Sequence, residues 1–196
     1  MKLSALIYPG FELLDLYGPL EMFGIGPTAF KLKLVAQTLH PVAGTGGPRT
    51  QPDADFDAAL DCDVLLVPGC RKPGEVDDSA MLPWIREASK QAQYTLSVCT
   101  GAYFLAQAGI LTGRKATTNK MLFDWVVDHT RDLDIGWQRR ARWVADGSVF
   151  TSSGVSAGTD MALGFVAHLH DQKTACHIAR IAEYVWDDNP DDDPFA

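Results

Sequence analysis

The sequence lacks any apolar run close to the roughly 20 residues that a membrane-spanning helix requires. It also lacks a signal-peptide core, because Met1-Lys2 leads directly into an alternating strand pattern. We therefore expect a soluble, cytoplasmic protein that has no membrane partner.

Basic clusters are scarce as well. The 196 residues hold 17 Lys and Arg against 25 Asp and Glu, a net charge of −8, and the richest basic stretch is only Arg139, Arg140 and Arg142. A nucleic-acid surface normally needs many basic residues on one face to displace counterions. The composition therefore predicts no nucleic-acid partner. Five aspartates fall in residues 187–196, which we interpret as an acidic, solvated tail.

Cysteine is the third scarce feature. The chain has four thiols without a C-x-x-C pair: Cys62, Cys70, Cys99 and Cys176. In a reducing compartment this pattern favours neither a disulfide nor a zinc site. His168 and His170 lie about 200° apart around a helix, so they cannot hold one metal ion together. We expect a site without a metal or an organic cofactor.

Short β-rich runs alternate with helical runs as far as residue 186. The predicted strands are 3–8, 31–37, 64–67, 94–98 and 116–118, and the predicted helices are 78–92, 101–111, 121–129, 156–170 and 174–186. Such alternation is typical of a mostly parallel sheet with helices on both faces. We predict one α/β domain over residues 1–186, followed by the 187–196 tail.

Other segments are assigned from their turn-forming residues. Proline suits the first turn of a helix, so the first helix is predicted to begin near Gly18-Pro19, with residues 12–17 mostly loop. Residues 41–52 are rich in Gly and Pro and indicate a turn-rich excursion. Residues 135–152 predict a two-stranded ribbon that turns at Asp146-Gly147.

Polar and reactive residues follow the predicted buried strands. Asp15 follows the first strand, Gly69-Cys70 the 64–67 strand, and Cys99-Thr100 the 94–98 strand. Ligands bind beyond the carboxyl ends of the strands of an open parallel sheet. The sequence therefore predicts that a carboxylate, backbone amides and a thiol meet at one edge.

Cys99 lies between a buried strand and a helix, with the small residues Ser97 and Gly101 two positions away on either side. A sharp nucleophile elbow requires such small residues. At a helix N-terminus, free N–H groups favour the thiolate over the thiol, so we expect a lowered pKa for Cys99. The alternative is a cysteine buried as a small hydrophobe. The elbow context favours the nucleophile.

The motifs together resemble the ThiJ/PfpI superfamily, whose members are related to class I glutamine amidotransferases. They are Leu14-Asp15-Leu16-Tyr17-Gly18-Pro19, Val67-Pro68-Gly69, Ser97-Val98-Cys99-Thr100-Gly101, Ala108 to Gly113, Ala116-Thr117-Thr118, and Ser153 to Asp160. Within the superfamily, the sequence is most similar to isocyanide (isonitrile) hydratases and to the amidotransferase-like domains of AraC-type regulators. The resemblance implies a flavodoxin-like three-layer α/β/α sandwich with a mostly parallel sheet.

By this resemblance, Cys99 corresponds to the hydratase nucleophile and Asp15 to its acidic partner. A carboxyl beside a thiol in a closed pocket shares one proton with it, which supplies a nucleophile and a proton donor together. Asp15 as a helix cap near Gly18 is the alternative. Glu12 and Glu21 are rival carboxylates, and Glu21 is expected to face outward from its helix.

The backbone amides of Gly69, Cys70 and Thr100 are candidates for an oxyanion hole or for substrate binding. Two positions depart from the related sequences. Cys70 stands where many relatives have a second glycine. Its side chain either narrows the pocket, offers a second thiol to it, or is a passive part of the loop. Asn119 follows Thr117-Thr118 where many relatives have histidine, and this places the identity of the substrate in doubt.

The resemblance implies a cysteine-dependent hydratase that converts a small isocyanide into an N-substituted formamide. The alternative is a non-catalytic module that senses a small molecule or an oxidant. The chain carries no helix-turn-helix after its last predicted helix, so we do not expect a complete regulator. In either case the partner is a small molecule.

We also expect a homodimer. Relatives of this fold commonly pair, and eight large apolar residues fall within residues 11–23: Phe11, Leu13, Leu14, Leu16, Tyr17, Leu20, Met22 and Phe23. That is more apolar surface than one side of a short helix is expected to bury within its own chain. A two-fold interface beside Asp15 would cover the remainder.

Overall fold

A seven-stranded sheet forms the centre of the computed structural model, which describes residues 1–26, 30–58 and 61–196. The strands are β1 (Lys2–Leu6), β2 (Lys31–Ala36), β3 (Val42–Ala43), β4 (Arg49–Thr50), β5 (Ala54–Asp55), β6 (Val64–Val67), β7 (Tyr94–Ser97), β8 (Arg114–Ala116), β9 (Ile135–Trp137), β10 (Trp143–Asp146) and β11 (Val149–Ser152). The main sheet has the order β10-β11-β7-β6-β1-β2-β5. Every pair in it is parallel except β10 with β11.

Helices pack on both sides of this sheet. They are α1 (Leu13–Gly24), α2 (Met81–Gln91), α3 (Gly101–Gln107), α4 (Phe123–His129), α5 (Ser156–Leu169) and α6 (Gln172–Ile181). Helices α1, α5 and α6 pack on one another, and α2 packs on α3. The predicted three-layer α/β/α class is confirmed. Across the described ranges, no helix is both long and apolar enough to cross a membrane.

The innermost strands are buried because they are apolar on both faces. All four residues of β6 are fully buried, and β1 exposes only Lys2. Parallel strands that are covered by helices on both sides have this near-continuous apolar pattern. Because β6, β1 and β7 are neighbours, their carboxyl ends bring residues 69–70 and 99–100 to one edge of the sheet.

The first helix begins earlier than Gly18-Pro19, and that prediction is wrong. Helix α1 begins at Leu13 and includes Pro19 in its interior. A proline removes one helical hydrogen bond, but Leu16, Leu20 and Phe23 lie on one buried stripe of the helix. Packing of that stripe outweighs the local preference and places Asp15 inside the helix.

The predicted ribbon over residues 135–152 is partly wrong. Only β10 and β11 form the hairpin, with Gly147 in its turn at a φ of 62°. Strand β9 instead pairs in parallel with β8 in a separate two-stranded sheet. The local pattern identified the turn but not the partner of the first strand, because that partner is 21 positions earlier in the chain.

Two predicted helices end early in the structure. Helix α3 ends at Gln107 rather than at residue 111, and α6 ends at Ile181 rather than at 186. Gly109 and Glu183 follow the two helices with φ values of 79° and 50°, in the left-handed region that commonly ends a helix. Residues 41–52 contain the small β3–β4 hairpin.

Most of the apolar residues in the 11–23 stretch are buried within the chain itself. Among them, Leu14 and Tyr17 stay exposed, at 47% and 43%. The Tyr17 hydroxyl is also hydrogen-bonded to Thr50 Oγ1 at 2.8 Å. The chain itself therefore buries most of this stretch, and Leu14 and Tyr17 are the apolar side chains of the stretch that it leaves exposed. The homodimer stays a prediction that rests on the resemblance.

Most of residues 187–196 are exposed, as the interpretation as a solvated tail predicts, but the segment also bonds to residues 140–142. The Arg142 N–H donates to the Pro190 carbonyl at 2.7 Å, and the Asp193 N–H donates to the Arg140 carbonyl at 2.7 Å. The Asp193 side chain is 1% exposed. Pro190 and Asp193 thus lie beside residues 140–142, which immediately precede β10 at the edge of the main sheet.

The close packing of the elbow against β6 is testable. Gly101→Ala is expected to lower the free energy of unfolding by about 3 kcal/mol, because a Cβ on Gly101 would lie 2.2 Å from the Val67 carbonyl oxygen. In the matched control Gly24→Ala, the nearest atom would be Leu32 Cδ1 at 3.4 Å, and we expect a change below about 0.5 kcal/mol. Urea unfolding followed by circular dichroism measures both variants. Equal losses would contradict the close approach.

Candidate functional site

Cys99 forms a sharp elbow between β7 and α3. Its φ is 58°, a left-handed conformation that costs a non-glycine residue roughly 1–2 kcal/mol. Two hydrogen bonds hold this backbone: the Cys99 N–H donates to the Ser153 carbonyl at 2.9 Å, and the Cys99 carbonyl accepts from Thr118 Oγ1 at 2.9 Å. The predicted elbow geometry is confirmed. The strained residue is the one that carries the thiol, as functional sites often show.

The environment of the Cys99 sulfur differs from the expected one. Burial raises the pKa of Cys99 well above its usual range, and the neighbouring Asp15 charge raises it further. The backbone N–H groups of Thr100 and Val155 and the Asn119 side chain oppose this by bonding to the sulfur. The prediction of a lowered pKa is therefore wrong, because desolvation outweighs the amides that favour the thiolate.

Asp15 is fully buried in the first turn of α1. Its Oδ2 accepts a hydrogen bond from the Gly69 N–H at 3.0 Å, whereas Oδ1 has no hydrogen-bond partner among the described residues. Burial raises the pKa of this carboxyl to about 7, and the Glu12 charge adds to the rise, while the Gly69 amide and the Cys99 thiol lower it. The side chain bonds to Gly69, outside its own helix, so the helix-cap alternative is wrong.

Asp15 and Cys99 therefore form a coupled pair of acids. Each appears among the groups that shift the pKa of the other. The carboxyl ionises near pH 7 and the thiol only at much higher pH, so the pair holds one proton between these two ionisations. In this state a proton transfer from the thiol to Asp15 gives a thiolate next to a neutral acid.

The amides of Gly69 and Cys70 are already engaged within the protein. The Gly69 N–H bonds to Asp15, and the Cys70 N–H donates to Thr100 Oγ1 at 2.8 Å. That hydroxyl in turn donates to the Cys70 carbonyl at 2.7 Å. The predicted oxyanion hole at Gly69 and Cys70 therefore needs correction, because these two N–H groups bind Asp15 and Thr100 instead. They position the carboxyl and the loop.

Gly69 is required by close packing. A Cβ at this position would lie 2.6 Å from the Thr100 nitrogen and 3.0 Å from Asp15 Oδ2. A glycine therefore allows the 69–70 loop to approach both the elbow and α1. Cys70 is buried, and its side chain lines the same cavity as Cys99, with a pKa raised by burial.

The Asn119 side chain also contacts the Cys99 sulfur. Its Oδ1 accepts a hydrogen bond from the Leu122 N–H at 3.0 Å, which leaves the amide nitrogen to face Cys99. The same nitrogen would lie 2.6 Å from a Cβ on Gly154, so the glycine makes room for it. Asn119 is thus a hydrogen-bond donor to the thiol.

These groups open into a cavity of about 470 Å³. Its lining combines the thiol, charged groups and apolar side chains: Glu12, Cys70, Arg71, Cys99, Asn119, Met121, Leu122 and Val155. Glu12 Oε2 lies 3.6 Å from Arg71 Nε, so the two charges are paired. The volume suits a small organic molecule.

The sequence reasoning missed Val155, whose N–H faces the sulfur. Val155 has a φ of 35° and immediately precedes α5, so it forms a second strained turn beside the Cys99 sulfur. The signal was present in the Ser153 to Asp160 motif, which places two small residues before a helix.

In the described part of the chain, no group of three or more His, Cys, Asp or Glu side chains could hold a metal ion.

A comparison with protein families finds one matching model. The model described as the DJ-1/PfpI family matches residues 1–168. This range contains every residue of the site described above, from Glu12 to Val155.

Individual relatives extend the likeness beyond residue 168. An isonitrile hydratase from Pseudomonas putida is 32% identical over 185 residues, which cover 94% of this chain and 78% of that protein. A crystal structure of a ThiJ/PfpI family protein from Pseudomonas syringae superposes with a TM-score of 0.84 at 34% identity, covering 95% of this chain and 76% of that one. An HTH-type transcriptional regulator, CdhR from Pseudomonas aeruginosa, is 22% identical over 89% of this chain and 52% of the regulator.

The raised pKa of Asp15 predicts that Asp15→Asn stabilises the folded chain by an amount that depends on pH. A carboxyl whose pKa is raised on folding stabilises the folded state at low pH and loses that contribution as pH rises from 3.8 to about 7. Asparagine keeps a carbonyl oxygen for the Gly69 amide and never ionises. The difference in the free energy of unfolding between the variant and the unmodified chain should therefore shift by about 3 kcal/mol in favour of the variant from about pH 4.5 to about pH 7.5.

Urea unfolding at the two pH values measures this difference. Asp128→Asn, which makes the same chemical change at an exposed position on α4, is the matched control and should show no comparable gain. A gain for Asp15→Asn that does not change with pH would contradict the raised pKa.

Proposed function

The chain belongs to the DJ-1/PfpI family, and we propose that it is a cysteine-dependent hydratase, which adds water to a small isocyanide and releases an N-substituted formamide. The observation that carries this proposal is the buried Asp15 carboxyl, with one oxygen unpartnered among the described residues, beside the Cys99 thiol. The reaction needs a nucleophile and a proton donor at the same carbon, and this pair supplies both.

The first step is proton transfer within the pair. Near neutral pH the Asp15 carboxyl is partly ionised, since its pKa is about 7, while the Cys99 thiol is protonated. The carboxylate takes the thiol proton. The amides of Thr100 and Val155 and the Asn119 side chain stabilise the thiolate that forms.

The second step joins the thiolate to the substrate. The sulfur attacks the terminal carbon of the isocyanide, and an S–C bond forms. The same carbon takes the proton from Asp15, so that R–N≡C and the thiol become a thioimidate, R–N=CH–S–Cys99. Asp15 is again a carboxylate.

The last step is hydrolysis. Asp15 accepts a proton from water as the oxygen bonds to the thioimidate carbon, and it passes that proton to the nitrogen. Collapse of this adduct breaks the S–C bond and returns a proton to the sulfur. The products are R–NH–CHO and the free Cys99 thiol, so one water is consumed and no electron is transferred.

The cavity fits the other end of such a substrate. Met121, Leu122 and Val155 form an apolar part of its lining, which also includes the Glu12 and Arg71 pair. An isocyanide has an uncharged, weakly polar head and a hydrocarbon substituent. An apolar substituent packs against these side chains, while the reacting carbon lies at Cys99.

The similarity to the Pseudomonas putida isonitrile hydratase supports this substrate class, because it extends over 94% of this chain. Asn119 differs from the histidine that the resemblance leads one to expect, and it makes the donor beside the sulfur an amide rather than a titratable ring. We propose that the chemistry is retained and that Asn119 alters the choice of substituent.

A non-catalytic sensor of a small molecule or an oxidant is the second candidate. The specific observation that favours it is the similarity to an HTH-type transcriptional regulator, of which this chain spans about half the length. The raised pKa of Cys99 also fits a thiol that binds or reacts slowly rather than one that turns over rapidly. Turnover of an isocyanide separates the two candidates.

The hydratase proposal predicts that Cys99→Ala and Asp15→Asn each abolish formamide formation from cyclohexyl isocyanide, with a loss of at least about 1000-fold. Cys176→Ala removes an exposed thiol on α6 and should retain full activity. Formamide is measured by liquid chromatography, and circular dichroism checks the fold. No turnover of any member of an isocyanide panel by the unmodified chain would overturn the hydratase proposal in favour of the sensor.

The pH profile gives a separate prediction. Because the singly protonated pair is the reactive form, kcat/KM should rise with pH through a limb near pH 7, where Asp15 ionises. Glu12→Gln removes a charge that raises the pKa of Asp15, so it should move this limb to lower pH. A limb that stays in place in Glu12→Gln, or falls where it should rise, would contradict the assignment to Asp15.

A further inference from the structure

Cys99 is connected to Arg142 through two successive backbone hydrogen bonds. The Cys99 N–H donates to the Ser153 carbonyl at 2.9 Å, and the Ser153 N–H donates to the Arg142 carbonyl at 2.8 Å. The left-handed backbone of the elbow therefore depends on where Arg142 lies. Arg142 immediately precedes β10, at the edge of the main sheet.

The Arg142 guanidinium connects this edge to α5. It is buried, and its Nε and Nη2 donate to Asp160 Oδ2 at 2.8 Å and 2.5 Å. Asp160 lies in α5, five residues after Val155, whose N–H faces the Cys99 sulfur. Arg142 thus fixes both the residue that holds the Cys99 backbone and the helix that begins beside the thiol.

Residues 187–196, the acidic segment, contact Arg142 through one backbone hydrogen bond and two carboxylates. The Pro190 carbonyl accepts from the Arg142 N–H at 2.7 Å. Asp187 Oδ2 lies 3.5 Å from Arg142 Nε, and Asp193 Oδ2 lies 3.6 Å from Arg142 Nη1. The buried Asp193 oxygen has no other described partner, so its charge is compensated chiefly by this guanidinium.

A second connection runs through Lys120. Its Nζ donates to the Ala141 carbonyl at 2.6 Å and to Thr117 Oγ1 at 2.8 Å. Burial lowers the pKa of Lys120 to about 8, and the Asp193 charge counteracts that lowering. The adjacent Thr118 hydroxyl holds the Cys99 carbonyl at 2.9 Å. The Cys99 backbone is thus held by Ser153, which bonds to Arg142, and by Thr118, which follows the Thr117 that bonds to Lys120. Both Arg142 and Lys120 interact with the Asp193 charge.

The buried Arg142 and the half-buried Lys120 both need this counter-charge. Arg142 lies close enough to Lys120 for its charge to lower the lysine pKa, so each makes the other more costly to bury. Asp160 and Asp193 supply the compensating carboxylates, both 1% exposed. Removal of the Asp193 charge leaves Asp160 as the remaining buried carboxylate that pairs with Arg142.

We propose that Arg142, held by the acidic segment, is a positioning residue for Cys99: it fixes the elbow and the start of α5 so that the Val155 and Thr100 amides face the sulfur. Its action is through Ser153 and Asp160, and it does not touch the cavity. The proposal concerns the thiol itself and does not depend on the substrate class.

The four cysteines allow a test within one sample. Iodoacetamide labelling followed by peptide mapping, from about pH 6 to about pH 10, gives the labelling rate of each cysteine, which below the pKa of a thiol is proportional to its thiolate fraction. Cys99 reports on the elbow, the buried Cys62 on loosening of the fold, and the exposed Cys176 on the reagent. The variants are Arg142→Gln, Arg142→Lys and Asp193→Asn. Arg140→Gln, which removes an exposed ion pair with Asp192, is the matched control.

Loss of the aligned amides removes stabilisation of the thiolate. Labelling of Cys99 at neutral pH should therefore fall about tenfold in Arg142→Gln, with an apparent pKa about one unit higher. Arg142→Lys should restore part of the rate, since it keeps the charge but loses the two-nitrogen geometry. Asp193→Asn should show a smaller fall, and it keeps the test available if Arg142→Gln does not fold.

In the same variants, we expect the labelling rates of Cys62 and Cys176 to stay unchanged. Arg140→Gln should match the unmodified chain at all three cysteines. The proposal is overturned if the Cys99 pH profile is unchanged in Arg142→Gln and Asp193→Asn. It is also overturned if Cys62 becomes reactive in parallel with the change at Cys99, because Arg142 would then only stabilise the fold.

Discussion

The buried contact between the Asp15 carboxyl and the Cys99 thiol is the constraint on which the rest of the site depends. Two acids in one place with little water cannot both ionise readily, because burial removes the hydration of each charge and the two charges repel. Burial raises the pKa of Asp15 to about 7 and that of Cys99 well above its usual range. The position of the one proton that remains between them determines whether the cavity presents a nucleophile or an inert thiol.

The fold holds this pair mainly through its backbone. The Gly69 amide fixes Asp15, and the Ser153 carbonyl and the Thr118 hydroxyl fix Cys99. Glycines at 69 and 101 allow three chain segments to approach more closely than a Cβ permits. Backbone bonds leave few rotameric alternatives, so a strained residue such as Cys99 persists in one conformation.

Features set by neighbouring residues could be predicted from the sequence. Apolar runs identified the central strands, and the small residues around Cys99 identified the elbow. Features that depend on segments distant in the chain could not be predicted from the sequence. The start of α1 depends on burial of a stripe beyond Pro19, and the partner of β9 lies in β8. The amides of Gly69 and Cys70 are engaged by Asp15 and Thr100, which come from other parts of the chain.

The acidic segment shows why composition alone misleads at such positions. Asp and Pro in succession are typical of a solvated chain end, and that interpretation assumes that each carboxylate gains more from water than from the protein. Here the protein offers Arg142, a guanidinium that is itself buried and would be costly to leave partly unpaired. Burial of Asp193 is favourable only because Arg142 is already fixed by Asp160, whose position is set by α5. Asp187, Pro190 and Asp193 are therefore held by a charge that lies elsewhere in the chain, and the composition of residues 187–196 alone does not reveal these contacts.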